Sequence, residues 1–213
     1  MLLTKSELFF NKLYDKIEIR GSLMDKEKIA DLIEFPYSYT VIDIETTGLS
    51  AYHNEIIELS ALRVRNHEIV SEFSSLIKPG GKINYFISNL TGITNQMLEN
   101  APDITKILPE YINFISDDIV LGHNVNFDIE FINKNLKKYF NNGFSNNYID
   151  TMMLSRKHCN LKSNKLQSLA HHYKVDLTGH HRALNDCKIT NKIYLKIKEE
   201  FYNPPEQKIL NLL

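Results

Sequence analysis

The chain has 213 residues, of which 43% are hydrophobic and 24% are charged, and its formal net charge is -1. This length and hydrophobic content predict one well-buried domain with appendages, rather than two large domains. No apolar stretch approaches the roughly 18 residues needed to cross a bilayer, and Lys5, Glu7 and Lys12 interrupt the region where a signal peptide needs an apolar core. Cys159 and Cys187 are too few for a disulfide framework. We therefore expect a cytoplasmic protein without a membrane span.

The charges are unevenly distributed along the chain. Residues 131–192 contain eleven Lys or Arg and three acids, a net charge of +8, which leaves -9 for the rest of a chain whose total is -1. Such a run of charge is usually a set of solvated helix faces. It is also the pattern expected of a groove that binds a phosphate backbone, so both interpretations stay open.

The N-terminal half combines a helical segment with a strand meander. Residues 1–36 have apolar positions at helical spacing with a break at 20–22, which predicts an appendage of two helices. Buried strands are then predicted at 38–45, 55–65 and 68–79, the last ended by Pro79. Short polar links between them indicate an antiparallel meander.

The second half alternates helices with a strand. A helix is predicted from Pro102 to Ile115, and further elements follow as a strand at 119–123 and helices at 127–139, 151–158, 165–173 and 182–201. Pro204 and Pro205 close the last helix. The fold class is therefore α/β, with a mixed sheet flanked by helices. The predicted boundaries are 1–36 for the appendage, 37–203 for the domain and 204–213 for a C-terminal tail.

Two carboxylates interrupt the first strand. Asp43 and Glu45 lie in the apolar run 41–45, and strand alternation places both on the same face, about 7 Å apart. Neighbouring acids on a mostly buried strand repel each other and lose hydration, so they need a compensating cation. A solvated strand end is the alternative. The small residues at 46–48 favour a ligand site, because they let a ligand approach the backbone closely.

Two further segments bring acids and histidines. Asp128 follows a strand and the polar residues Gly122, His123 and Asn124, at the end of a strand where open α/β sheets place ligand crevices. By itself, an Asp in a first helical turn is usually a helix cap. Asn124 to Asn126 are predicted to form the loop before the helix.

Asp186 lies near the start of the last long helix, five residues after His181. Five helical residues turn through about 140°, so His181 and Asp186 share a direction only if His181 lies on an irregular turn before the helix. His180 is adjacent, and spacing alone does not decide which histidine acts.

The combination of four carboxylates and a histidine is suited to phosphoryl chemistry with two metal ions. Two Mg²⁺ or Mn²⁺ ions about 3.5–4 Å apart would balance the four acids, one orienting the attacking water and the other stabilising the leaving 3′ oxygen. A histidine with an ordinary pKa of about 6.5 can accept the proton of that water.

These motifs resemble those of the DEDD-type 3′–5′ exonucleases of the RNase H-like superfamily, in the subgroup with a histidine base that includes bacterial polymerase III proofreading subunits. The similarity rests on 43–49 (DIETTGL), 122–128 (GHNVNFD) and 181–186 (HRALND), in that order and spacing. The segments 90–94 (LTGIT) and 149–156 (IDTMMLSR) also look like family segments. The resemblance covers roughly 38–200 and excludes 1–36.

The resemblance implies metal ligation by Asp43, Glu45, Asp128 and Asp186, and a general base at His181. It also implies that Thr46 and Asn124 bind the substrate and that Asp150 lies behind the ligands. We expect cleavage of DNA from the 3′ end, in proofreading or repair. The alternatives are an exoribonuclease of the same fold and a non-catalytic subunit that docks on a polymerase.

The C-terminal tail allows two interpretations. Its last five residues include four apolar ones, after two prolines that separate the tail from the last helix. They could cover a bare patch of the domain. Alternatively, Gln207 and the following leucines form a short docking peptide, loosely similar to the segments by which DNA polymerase-associated proteins bind a sliding clamp, and raise processivity by tethering.

Overall fold

The computed structural model describes residues 35–201, of which Tyr37–Phe201 form one compact unit. The two predicted N-terminal helices and the predicted tail at 204–213 lie outside the described residues. None of the helices within 35–201 combines the length and the apolar character needed to cross a membrane.

A five-stranded mixed sheet forms the centre of this unit. Its strands are β1 (Tyr39–Thr46), β2 (Ile56–Arg65), β3 (Glu68–Leu76), β4 (Val120–Gly122) and β5 (Tyr148–Asp150). The order across the sheet is β3-β2-β1-β4-β5. β2 pairs antiparallel with β1 and β3, whereas β4 runs parallel to both β1 and β5. The predicted meander and mixed sheet are therefore confirmed.

The hairpin between β2 and β3 has the tight turn that a meander requires. Asn66 and His67 both have positive φ, 51° and 67°, which matches the right-handed twist of the flanking strands. β3 ends at Leu76 and not at Pro79 as predicted. The Ile77 N–H still bonds to the Ile57 carbonyl, but the Lys78 N–H bonds to Pro102 and leaves the sheet.

Seven helices surround the sheet in residues 35–201. They are α1 (Tyr85–Thr91), α2 (Asn95–Glu99), α3 (Ile104–Ile115), α4 (Val125–Phe140), α5 (Thr151–His158), α6 (Leu166–Tyr173) and α7 (Ala183–Phe201). The last three match the predicted ranges within one residue. Short elements were missed: α1, α2 and β5 have seven, five and three residues. Asn84 and Thr94 cap α1 and α2 with side-chain hydrogen bonds, and these residue types were the available signal.

Strand alternation divides β1 between two layers of helices. Ile42 and Ile44 join one core with residues of α3 and α4, including Tyr111 and Phe131. On the opposite face, the Tyr39 ring packs edge-on against Tyr194 of α7. The predicted arrangement with helices on both sides of the sheet is therefore confirmed, and Asp43 and Glu45 lie on the α7 side.

The junction of β4 and α4 corrects one expectation. Asn124 is the N-cap of α4 with φ of 59°, and the helix begins at Val125, so the predicted loop at 124–126 is mostly the first helical turn. Gly122 permits this abrupt change, because a Cβ there would lie 2.6 Å from Val125 Cγ2. Asp128 is consequently held in the first turn of a helix that starts directly at the carboxyl end of β4.

Candidate active site

Carboxylates from three elements meet at the carboxyl end of β1. Carboxylate oxygens of Asp43, Glu45 and Asp186 all lie within 4.8 Å of one another. Asp43 and Glu45 come from one face of β1, and Asp186 comes from the first turn of α7. The sequence predicted that these three residues would share a site, and the fold brings them together.

Asp128 approaches the same place from α4 and is only 4% exposed. It does not belong to the group within 4.8 Å, but its charge raises the pKa of both Asp43 and Glu45. We call the four residues Asp43, Glu45, Asp128 and Asp186 the acidic cluster.

Burial and mutual repulsion raise the pKa values of these acids. The pKa of Asp43 is well above its usual value, first because it is buried and then because other carboxylates surround it. The same two causes raise the pKa of Glu45 to about 8, whereas the charge of Arg182 acts in the opposite direction. Burial also raises the pKa values of Asp128 and Asp186. The cluster thus holds its negative charges at a high electrostatic cost, which a bound cation would offset.

The donor set fits a hard divalent cation. Carboxylate oxygens are the protein ligands that Mg²⁺ and Mn²⁺ prefer, and the oxygens of three of these acids are already close enough to share an ion. Among the described residues, neither cysteine belongs to this group, so the group offers no thiolate ligand for a soft metal.

The two histidines lie on the turn before α7, as predicted for His181. His181 has φ of 68°, and its ring stacks on that of His180 with the centroids 3.8 Å apart. His180 Nδ1 contacts Asp186 Oδ1 at 2.7 Å, whereas His181 donates its backbone N–H to Asp186 Oδ2 at 3.2 Å. Burial, followed by the charge of His180, lowers the pKa of His181. Both histidines therefore border the acidic cluster, and the choice between them remains a prediction.

An ion pair between a buried carboxylate and a partly exposed guanidinium lies beside the cluster and was missed by the sequence prediction. Glu58 on β2 is 1% exposed and faces Glu45 in the strand register. Its carboxylate accepts hydrogen bonds from Arg182 Nε at 3.1 Å and Nη2 at 2.7 Å, and from the Ala183 N–H at 3.1 Å. A Glu inside the apolar run 56–62 was the available signal. The pair fastens the histidine turn and the start of α7 to the sheet.

The remaining predicted residues, Thr46, Asn124 and Asp150, lie at the carboxyl ends of β1, β4 and β5. The Thr46 hydroxyl donates to the Gly48 carbonyl at 2.7 Å, so it shapes the turn after β1. Asn124 is exposed, and its backbone N–H donates to Asp150 Oδ1 at 2.9 Å. The same Asp150 oxygen caps α5 through the Met152 N–H. Asp150 thus joins the ends of β4 and β5 and holds Asn124 in place.

Comparisons with known proteins agree with this geometry. The profile of a family described as "Exonuclease" matches residues 40–194. The DNA polymerase III subunit epsilon of Aquifex aeolicus (strain VF5) is 42% identical over 166 residues, which cover 78% of this chain and 82% of that protein. A DNA polymerase III of PolC type from Thermotoga maritima is 38% identical over 162 residues, covering 76% of this chain. The chain spans only 12% of the length of that relative.

Solved structures share the fold. Exonuclease X in complex with 5′ overhanging duplex DNA has a TM-score of 0.62 and 26% identity, covering 79% of this chain and 95% of that one. The nuclease domain of 3′hExo, a DEDDh family member bound to rAMP, has a TM-score of 0.67 over 78% of this chain and 93% of that one, at 20% identity. The second likeness supports the fold alone.

The fold is that of nucleases with an RNase H-like sheet, as predicted. The chain belongs to the exonuclease family, among the 3′–5′ exonucleases that include DNA polymerase III epsilon subunits.

Proposed function

We propose that this exonuclease degrades DNA from the 3′ end with two divalent metal ions and a histidine base. The observation that carries the proposal is the acidic cluster, in which carboxylate oxygens of Asp43, Glu45 and Asp186 lie within 4.8 Å of one another. Buried acids at this spacing repel one another, and a pair of cations compensates that repulsion.

Asp43, Glu45, Asp128 and Asp186 would hold the ions, which we take to be Mg²⁺ or Mn²⁺. When bound, such ions activate a water molecule and stabilise negative charge on the leaving 3′ oxygen. The ligands come from β1, α4 and α7, so the fold assembles the site only when all three elements are in place.

His181 is our candidate for the general base. It lies on the turn before α7, and the lowered pKa keeps its ring neutral near pH 7, so a ring nitrogen can accept a proton. As the water oxygen attacks phosphorus, its proton passes to His181 and the bond between phosphorus and the 3′ oxygen breaks. The leaving oxygen is protonated, and a nucleoside 5′-monophosphate is released. Thr46 and Asn124 border the place where the terminal nucleotide would lie.

The DNA substrate is supported by the 42% identity to an epsilon subunit of DNA polymerase III. An epsilon-like role also implies a DNA polymerase as partner. Because the sequence does not identify a residue that senses the 2′ hydroxyl, RNA is the natural competing substrate.

The test compares matched substrates of equal length. Single-stranded DNA, duplex DNA with a mismatched 3′ end and RNA are incubated with Mg²⁺, Mn²⁺ or EDTA, and the products are resolved by length. We expect stepwise shortening of DNA from the 3′ end that needs a metal, and no activity from Asp43→Asn. Faster cleavage of RNA than of both DNA substrates would overturn the DNA assignment. Equal cleavage by Asp43→Asn would overturn the site.

A further inference from the structure

A basic groove lies between the loop that follows β1 and the C-terminal half of α4. Tyr52 lines it from the loop, and Lys134, Lys137, Lys138 and the single acid Glu130 line it from the helix. The volume of this lysine groove is about 560 Å³. Three lysines against one acid give it an excess of positive charge, which favours an anionic ligand.

The contacts of the lysines leave their charges available. Lys134 Nζ donates to the Asn54 carbonyl at 3.0 Å, which ties the helix to the loop without neutralising the lysine. Lys138 Nζ lies 4.6 Å from the centre of the Tyr139 ring. Among the ion pairs within 35–201, none involves Lys134, Lys137 or Lys138. The groove is therefore a concave surface in which no carboxylate of residues 35–201 is bonded to these three lysines, although the charges of Glu55 and Asp103 act on Lys138.

Tyr52 adds an aromatic surface to this charge. Its side chain is 83% exposed on the loop wall of the groove. Exposed aromatic rings beside lysines are the combination by which proteins bind single-stranded nucleic acids, since the rings stack on bases and the lysines pair with phosphates. A ligand that is only anionic would leave the Tyr52 ring unused.

Both walls of the groove continue from elements that carry the acidic cluster. The loop starts directly after β1, and α4 carries Asp128 in its first turn. Lys134 lies six residues after Asp128, about 9 Å further along the axis and about 240° around it, so the groove opens on the outward side of the helix. Leu49, which is 89% exposed, lies on the same loop between the end of β1 and Tyr52. Two elements that carry the acidic cluster therefore lead to the groove, which makes it a candidate contact for the part of the strand outside the cluster.

We infer that the lysine groove binds the sugar-phosphate backbone of the substrate strand on the 5′ side of the nucleotides held in the active site. The inference rests on the proposed function and adds a second contact that only long strands can make. It predicts that removal of lysines from the groove weakens the use of long strands and spares small substrates.

The test uses two double variants that each remove two lysine charges. Lys137→Gln with Lys138→Gln changes the groove, and Lys162→Gln with Lys192→Gln removes two exposed lysines from the same basic segment outside it. Values of kcat/KM are measured with a DNA strand of roughly 20 nucleotides. This strand is longer than the site of about 4–16 nucleotides that one single-strand-binding domain covers. The p-nitrophenyl ester of thymidine 5′-monophosphate serves as the small substrate.

We expect the groove variant to lose on the order of tenfold in kcat/KM on the long strand. The slope of log kcat/KM against log salt should decrease in magnitude by about 1.4, because each of the two lost phosphate contacts contributes about 0.7. Its activity on the small substrate and its melting temperature should match those of the control variant. Tyr52→Ala should weaken use of the long strand about fivefold or more through lost stacking.

Three outcomes would contradict the inference. Equal losses on long and small substrates would mean that the lysines act on the active site or on stability. If the rate on the long strand and the salt slope do not change, the groove does not bind the nucleic acid, and an acidic protein segment becomes the better candidate ligand. Equal effects of the groove and control variants would indicate a general charge effect. If the wild-type protein with metal cleaves neither substrate, the proposed function fails first, so the two failures are distinguishable.

Discussion

At the scale of single residues, the acidic cluster makes a prediction about pH. The folded pKa of Glu45, about 8, exceeds the unfolded value of about 4.3, so the folded protein binds more protons than the unfolded chain between these values. This contribution to the stability of the metal-free protein is complete below the unfolded pKa and is lost as pH rises through the folded pKa. Each excess proton corresponds to about 1.4 kcal/mol per pH unit.

We therefore expect the melting temperature of the wild-type protein in EDTA to fall as the pH rises from 5 to 8. Asp43→Asn should reduce this fall and raise the stability at pH 8. Asp117→Asn, which changes an exposed acid outside the cluster, is the matched control. Calorimetry across this pH range checks both statements. If Asp43→Asn has the same pH profile as the wild-type protein, the acids of the cluster do not repel one another strongly.

The adjacent histidines make a second prediction at this scale. His181→Ala should lower kcat by about 10²–10⁴-fold while keeping metal and DNA affinity, because a general base acts on the water and not on binding. His180→Ala should lower kcat far less. Since the His180 ring contacts Asp186, its main effect should be on metal affinity. Rates at saturating DNA and metal titrations separate the two, and a larger kcat loss from His180→Ala would reverse the assignment.

Sequence reasoning predicted the positions of the candidate site residues correctly where these positions depend on local geometry. The pairing of Asp43 with Glu45 follows from strand alternation, and the position of His181 before α7 follows from helix geometry. Glu58 was missed because its importance depends on a neighbouring strand. Only the register between β1 and β2 places it opposite Glu45, and only the fold supplies Arg182 as its partner.

At the scale of secondary-structure elements, the Glu58–Arg182 pair attaches α7 to β2. Glu58→Gln should reduce stability by about 1–2 kcal/mol, because the hydrogen bonds from Arg182 and the Ala183 N–H lose their charged acceptor, while weaker repulsion of Asp43 and Glu45 offsets part of the loss. It should also reduce activity more than its stability loss explains, since the turn that carries both histidines loosens. Glu199→Gln, which breaks an exposed pair with Lys196, should cost less than about 0.5 kcal/mol. Denaturant unfolding and kcat measured side by side test this, and equal stability losses would contradict the role of the pair.

The element predictions show where periodicity suffices. Long amphipathic segments such as α3 and α4 have enough turns to reveal a buried face, and their existence was predicted correctly. The five residues of α2 and the three of β5 are too short to show any period. The start of α4 was placed too late, because Asn124 and Asn126 look like loop residues. In the structure the chain turns at Asn124 in the left-handed conformation, and Gly122 leaves room for Val125 to begin the helix.

At the scale of the whole molecule, metal binding should couple to folding. The four acids come from three elements, so an ion that binds them binds the folded state only, and stability should rise as RT ln(1 + [M]/Kd). Mg²⁺ or Mn²⁺ should raise the melting temperature in proportion to the logarithm of concentration above Kd, and EDTA should reverse the rise. Asp43→Asn is the control and should respond much less. A melting temperature independent of metal at millimolar concentration would contradict ligation by the cluster.

The four acids of the acidic cluster are held in two different ways. Asp43 and Glu45 belong to β1, which is hydrogen-bonded to β2 and β4, so the backbone sets their separation. Asp128 and Asp186 lie in the first turns of α4 and α7, which the link to β4 and the hydrogen bonds to Glu58 attach to the sheet at one end only. Ions of different radius therefore demand different helix positions: Mg²⁺ needs oxygens at 2.0–2.1 Å and Ca²⁺ at 2.3–2.6 Å. If the cluster binds metal as proposed, a larger ion should move the two acids on the helices more than the two acids on the strand, and the histidine turn should move with Asp186.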